Sequence, residues 1–337
     1  MALRTKITEL LGIEHPVVLG GMGSGGTGHR LVAEVSSAGG LGILSASWLS
    51  RAEQQAEVEA IRHVTDRPFG LNHLLCFVDD ARFTASLDLR PTVISTAWPW
   101  SAQDLRPYFE RAHAHGALVI HMVSSVPEAA RAVDAGADII VAQGTEGGGH
   151  VGWMGSMALI PMVVRAIAPV PVLAAGGVAD GAGLAAALAL GAEGVLLGTR
   201  FLATPESPVP DGFKRTLLES DGHDTLLTEI PDIAAGRVWP GAMSRVRRNR
   251  FIERWAGREW ELRQRRDQVG PALTEARRRD DTDEYTLGTG QTAGLITQLK
   301  PASQIVHEVV DEAQTIIAER LRGLVIEPAQ VTAITTN

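Results

Sequence analysis

Two glycine-bearing regions of this chain combine residue types and spacings that have chemical consequences. The first runs Pro171-Val172-Leu173-Ala174-Ala175-Gly176-Gly177 and is followed by Gly194-Val195-Leu196-Leu197-Gly198-Thr199. Each half is an apolar run that ends in a glycine turn. Glycine lets backbone N–H groups approach an anion, and a helix N-terminus that follows adds roughly half a positive charge. Ala175, Gly176, Gly177, Gly198 and Thr199 are therefore the expected phosphate contacts. The second is Ala142-Gln143-Gly144-Thr145-Glu146-Gly147-Gly148-Gly149-His150. Gly148 and Gly149 let the backbone pass close to a flat ring and present the His150 imidazole above it. With an ordinary pKa of about 6.5, that ring accepts a proton near neutral pH. A merely hydrogen-bonded loop histidine is the plain alternative, and Glu146 is a competing base if burial raises its pKa.

Other polar residues carry weaker signals. Asn72 closes an apolar run, where its amide can pair with a ring edge or cap a turn. His121 ends another run and is read either as a group facing the site or as a structural one, whereas His29, His63, His113 and His115 fall on helical patterns and are expected at the surface. No histidine and carboxylate pair has metal-ligand spacing, so no metal is expected. Neither a G-x-S-x-G elbow nor a carboxylate pair argues for hydrolysis.

These residues need a scaffold that brings the ends of several apolar runs together. Strands are predicted at Val17–Gly20, Gly42–Leu44, Phe69–Leu75, Thr92–Ser95, Leu118–His121, Ile139–Ala142, Val172–Ala174 and Val195–Leu197, with helical patterns such as Arg30–Ala38, Arg51–Val64, Gln103–His115 and Val126–Ala135 between them. About eight βα repeats is the number that closes a barrel, and barrel chemistry sits in the loops after the strands. A doubly wound sheet also alternates, and Gly21, Gly23 and Gly26 have its G-x-G-x-x-G spacing. The acidic ribose partner expected about 20 residues later is missing, since Ala46, Ser47 and Trp48 occupy that region. The loop Gly20-Gly21-Met22-Gly23 is read instead as lying against an isoalloxazine ring.

The chain has 337 residues, 45% hydrophobic and 21% charged, with 36 glycines and a formal net charge of -8. That charge argues against nucleic acid or an anionic membrane as partner and leaves a small-molecule substrate. Cys76 is the single cysteine, which fits a reducing cytoplasm, and no signal peptide or membrane span is read at the N-terminus. A homo-oligomer is compatible with this composition. Residues 1–207 are expected to form the α/β barrel, 208–284 a helical, Arg-rich insertion or cap, and 285–337 a return to the barrel with a C-terminal helix near Ala302–Arg322. The arginines (Arg245, Arg247, Arg248, Arg250, Arg254 and onwards) are read as a solvated helix face, with a basic entrance for an anionic ligand as the alternative.

Taken in order, Pro16–Gly23, Val35–Gly42, Gln143–Gly152, the Gly176-Gly177 and Gly198–Phe201 turns and Gly290-Gln291-Thr292-Ala293-Gly294-Leu295 resemble the nitronate monooxygenase family, formerly 2-nitropropane dioxygenases. The resemblance runs along nearly the whole chain. It implies a TIM (β/α)8 barrel with a smaller, mainly helical second domain, noncovalent FMN, and oxidation of alkyl nitronates by O2 to a carbonyl compound and nitrite. It makes His150 the catalytic base and puts Gly20, Gly21, Met22, Gly23, Asn72, Gln143, Gly148 and Gly149 around the flavin. It also puts Ala175, Gly176, Gly177, Gly198 and Thr199 on the phosphate and returns Gln291 and Gly294 towards the site. His121, Trp98 and Gly294 are the expected substrate contacts. The sequence departs from the family pattern at Ser95-Thr96-Ala97-Trp98-Pro99-Trp100, where an aromatic and histidine-bearing run is usual. The same resemblance extends to flavin-dependent enoyl-thioester reductases and NAD(P)H:quinone reductases. An FMN-dependent NAD(P)H reductase or dehydrogenase acting on an acyl thioester is thus the alternative function, one in which the arginines would bind the nucleotide phosphates.

Overall fold

A computed structural model of the chain describes residues 3–23 and 25–325. Strands β1 (Val17–Leu19), β2 (Leu41–Ser45), β3 (Phe69–Leu74), β4 (Val93–Ala97), β5 (Leu118–Val123) and β6 (Ile139–Gln143) pair in parallel. The short β7 (Gly149–Val151) leaves this sheet, which continues with β8 (Val172–Ala175) and β9 (Gly194–Leu197) before β9 pairs with β1. The result is a closed eight-stranded TIM barrel, and every barrel strand overlaps the run predicted for it.

Side chains alternate between two cores, as the period of a strand requires. Val18, Leu41, Ile43, Val93, Ile120, Ile139, Val141, Leu173 and Ala175 fill the interior. Ile7, Leu11 and Ile13 join them from the N-terminal helix Lys6–Leu11 and the turn after it. The Lys6 N–H donates to Glu193, just before β9, which fixes this plug at the N-terminal end of the barrel and leaves the opposite end for chemistry. The other parity, including Leu19, Leu71, Val119, Val123 and Val195, packs under the helices on Val35, Phe83, Phe109 and Leu184. Gly42 is required by this layer: a Cβ there would lie 2.3 Å from the Val32 carbonyl oxygen of the helix His29–Ser37.

Between 208 and 284 the sequence reading gives only helices. The structure has helices there at Asp211–Glu219, Ile230–Ala235, Arg250–Trp255 and Glu259–Arg278, and also strands β10 (Thr225–Thr228) and β11 (Met243–Arg247). β10, β11 and β7 form a three-stranded antiparallel sheet, so the insertion is stitched to the loop that carries His150. Arg250, Arg254, Arg258, Arg263 and Arg265 pair with carboxylates on the insertion's own surface, the solvated-face outcome. Such exposed pairs contribute little to stability. The C-terminal helix Ala302–Thr315 packs through Ile305, Val306, Val309, Val310 and Ala313. Beyond it the chain widens into a π turn over Ile316–Leu321, and Ile317 there is 37% exposed. The remainder of the 285–337 segment, 326–337, lies outside the described residues. Among the described residues, no helix is long and apolar enough to cross a membrane.

Candidate active site

The C-terminal mouth of the barrel carries an inward-facing polar set: Asn72 from β3, Ser95 from β4 and Gln143 from β6. Asn72 Nδ2 donates to the Gly21 carbonyl at 3.3 Å, and its Oδ1 accepts from Ser95 Oγ at 2.9 Å. The amide expected at a free ring edge therefore ties the loop after β1 to β4. Gly21 allows this approach, since a Cβ there would lie 2.5 Å from Asn72 Cβ, and Gly20 similarly abuts Leu196 at 2.8 Å. Gly23 is open, and Met22 reaches the β9 turn, where its sulfur would lie 3.4 Å from a Cβ on Gly198. Gln143 Oε1 is buried with no hydrogen-bond partner among the described residues, as is Thr289 Oγ1.

The two glycine turns are neighbours because Ala175 of β8 stands beside Leu196 of β9. Gly176 and Gly177 have successive positive φ angles of 80° and 75°, a backbone conformation that glycine adopts without steric cost. A Cβ on Gly176 would lie 2.6 Å from the Gly144 carbonyl, whereas Gly177 has no neighbour closer than 3.5 Å. Gly198 leads into the short helix Thr199–Leu202, and Thr199 Oγ1 accepts from the Gly290 N–H at 3.1 Å. Glu146, the competing base, is engaged elsewhere: its carboxylate accepts from the Ser156 N–H and hydroxyl at the start of the helix Ser156–Ile167.

The glycine run before His150 has an unforeseen use. A Cβ on Gly148 would lie 2.5 Å from the Gly290 nitrogen, so this glycine admits the returning chain, while Gly149 has φ 73° and open surroundings. Gln291 is exposed and its N–H donates to the Glu146 carbonyl. Gly294, expected at the substrate, packs on the insertion, where a Cβ would lie 2.5 Å from the Asp221 carbonyl oxygen.

His150 sits on β7 opposite Ser244 of β11. Its Nε2 is 2.9 Å from Asp232 Oδ1 on the helix Ile230–Ala235, and its ring lies under the Trp239 indole with centroids 3.3 Å apart and planes 12° off parallel. The Trp239 loop, bounded by Gly236 and Gly241 with φ 64° and 72°, crosses the mouth. Its indole meets Phe77 and Trp98 edge-on at 5.2 and 6.3 Å, and Arg237 lies 4.3 Å over the Trp48 ring. Trp98 has φ 54°. With Trp100, Met122, Ser124 and Trp239 it borders a cavity of about 570 Å³. Arg245 of β11 is buried, which lowers its pKa, and its Nε donates to the Thr145 carbonyl, bracing the His150 loop.

His121, left open between a site and a structural role, is among the residues that line this cavity, yet its ring is buried in the barrel wall. Ile120 and Met122 of β5 face the barrel interior, so His121 takes the outward parity. Its Nδ1 is 2.7 Å from Thr96 Oγ1, its ring packs on Phe109, and burial pushes its pKa down to about 3. The residues that sequence reading missed are Ser95, Asp232, Trp239 and Arg245. Asp232 is 82 positions from His150 and carries no local signal, whereas the glycines flanking Trp239 do mark a turn that could have been noticed.

The profile of the nitronate monooxygenase family matches residues 4–82 and 74–312. The chain belongs to this family. A Mycobacterium tuberculosis relative, (3aS,4S,5R,7aS)-5-hydroxy-7a-methyl-1-oxo-octahydro-1H-indene-4-carboxyl-CoA dehydrogenase, is 35% identical over 94% of this chain and 97% of its own. A probable nitronate monooxygenase of Staphylococcus aureus is 28% identical over 93% and 98%. The solved structure of FabK from Thermotoga maritima superposes with a TM-score of 0.85, at 35% identity over 96% of this chain and 99% of that one. Within the nitronate monooxygenase family this chain is an oxidoreductase, and its relatives divide between thioester and nitronate chemistry.

Proposed function

We propose that this chain is an FMN-dependent oxidoreductase that dehydrogenates a coenzyme A-type acyl thioester at its α and β carbons. The FMN assignment is supported by the paired glycine turns, by the buried, unpartnered Gln143 Oε1 at the mouth, and by the loop Gly20–Gly23 held by Asn72. Gly176, Gly177, Gly198 and Thr199 would hold the phosphate, and Gln143 with the Gly21 loop would face the ring system. The bound flavin supplies a two-electron acceptor for the β hydrogen as hydride. His150 takes the α hydrogen as a proton, an abstraction that a positioned imidazole accelerates by roughly 10²–10⁴-fold. The observation that carries the thioester reading is the cavity of about 570 Å³ beside the mouth, walled by Trp98, Trp100, Trp239, Glu128 and Arg131; it reaches His150 only through Trp239, whose indole separates the two. That volume falls within the roughly 300–1,000 Å³ of sites for ligands of drug size and is far more than a short nitronate fills. The relative named as an indene-carboxyl-CoA dehydrogenase, 35% identical, points the same way.

The test is turnover of bulky alicyclic acyl thioesters with an artificial electron acceptor, followed by mass analysis. Loss of two hydrogens from the acyl group is the expected outcome, and an unchanged thioester would refute it. Nitronate oxidation is the second reading. It is favoured by the family match and by a base equally suited to the acidic C–H of a nitroalkane, and it would show as oxygen consumption with nitrite release from propyl nitronate.

A further inference from the structure

We infer that Asp232 is the positioning residue of the base: its carboxylate fixes His150 in the tautomer that leaves Nδ1 as the proton acceptor. The inference rests on the reading of His150 as the base. An ionised carboxylate can only accept, so in the 2.9 Å contact between Asp232 Oδ1 and His150 Nε2 the proton sits on Nε2. Nδ1 then carries the lone pair, and among the described residues it makes no hydrogen bond. Two further contacts hold the ring in this orientation. The Trp239 indole covers one face at 3.3 Å, and β11 pairs with β7 on either side of His150, through Met243 with Val151 and Arg245 with Gly149. Both side chains of the pair are largely withdrawn from solvent, at 17% and 12% exposure, so water competes poorly for Nε2. When Nδ1 takes a proton from carbon, the imidazolium forms beside a fixed negative charge, the arrangement in which an aspartate supports a catalytic histidine without itself taking the proton.

Asp232, Trp239 and β11 all come from the insertion, whereas the ring they hold follows β6 of the barrel. This gives the Ile230–Ala235 helix and the Gly236–Gly241 loop a purpose that packing alone does not supply: the base is competent only where the insertion is docked.

The experiment uses the full flavin-loaded chain with ¹⁵N-labelled histidine and no substrate. The His150 imidazole is expected to show a protonated Nε2 and a bare Nδ1. Asp232→Asn should abolish that pattern, because its amide can donate to Nε2 and so favour the opposite tautomer. Asp232→Glu should restore it in part. In turnover, Asp232→Asn should lower kcat by about 10²–10⁴-fold with KM within a few-fold and the thermal midpoint little moved. A protonated Nδ1 in the unaltered chain overturns the assignment even if the variant fails to fold. So does an Asp232→Asn variant that keeps both tautomer and kcat. If no acyl thioester reacts, the reading of function falls, and the tautomer measurement still decides the role of Asp232.

Discussion

His121 lies one strand position away from the barrel interior, and that single step of parity decides its chemistry. It faces Phe109 and Thr96 under the helices, and burial pushes its pKa down to about 3. His73 on β3 does the same beside Ser86 and is pushed down to about 4. Both rings are held in the outward layer of the barrel, whereas His150, the base on the proposed reading, lies on a short strand beyond it. Strand runs are legible in sequence, but which side of a run faces inward depends on register, so His121 was read as open between site and structure. A pH dependence follows. In the unfolded chain both rings take protons below their ordinary value of 6.5, while the folded rings stay neutral down to about 4 and about 3. The unfolded state therefore binds more protons in that window. Their neutral burial is free of penalty above pH 6.5, and stability falls as the pH drops towards 3. Denaturant midpoints recorded from neutral to mildly acidic pH should decline for the native sequence and decline less for His121→Gln. Equal slopes would contradict this account.

At the scale of elements, the glycine turns were legible because each follows an apolar run directly and glycine is the residue that accepts a positive φ. Their two halves are not equivalent. Gly176→Ala adds a Cβ 2.6 Å from the Gly144 backbone oxygen to the strain of φ 80°, whereas Gly177→Ala carries only the strain of φ 75°. A left-handed conformation costs an alanine about 1–2 kcal/mol. Gly177→Ala should therefore lower the thermal midpoint modestly, and Gly176→Ala should lower it further and also weaken flavin retention, since the Gly144 strand end must shift. Equal midpoints for the two variants would show that the clash relaxes without consequence. β10 and β11 were not legible. Met243-Ser244-Arg245-Val246-Arg247 alternates, but its arginines read as a solvated face. Arg245 is in fact buried on the Thr145 carbonyl, a partner a hundred residues away that only the folded chain supplies.

For the whole molecule, the proposed reading has the barrel supply the cofactor turns and the 208–284 segment supply what positions the base. The eightfold βα count and the ordered motifs made the barrel and the family readable from sequence. The closure of the Trp239 loop over Phe77, Trp98 and His150 was not readable, because it joins residues from four separate stretches of chain. That closure makes Trp98, Pro99 and Trp100 part of a cavity wall, which on the proposed reading receives a bulky acyl group. The most direct test is rapid anaerobic mixing of the flavin-loaded chain with either a bulky acyl thioester or propyl nitronate, following the visible flavin absorbance. Fast bleaching by the thioester, with slow or no bleaching by the nitronate, is the expected result. Bleaching by the nitronate alone would contradict the account.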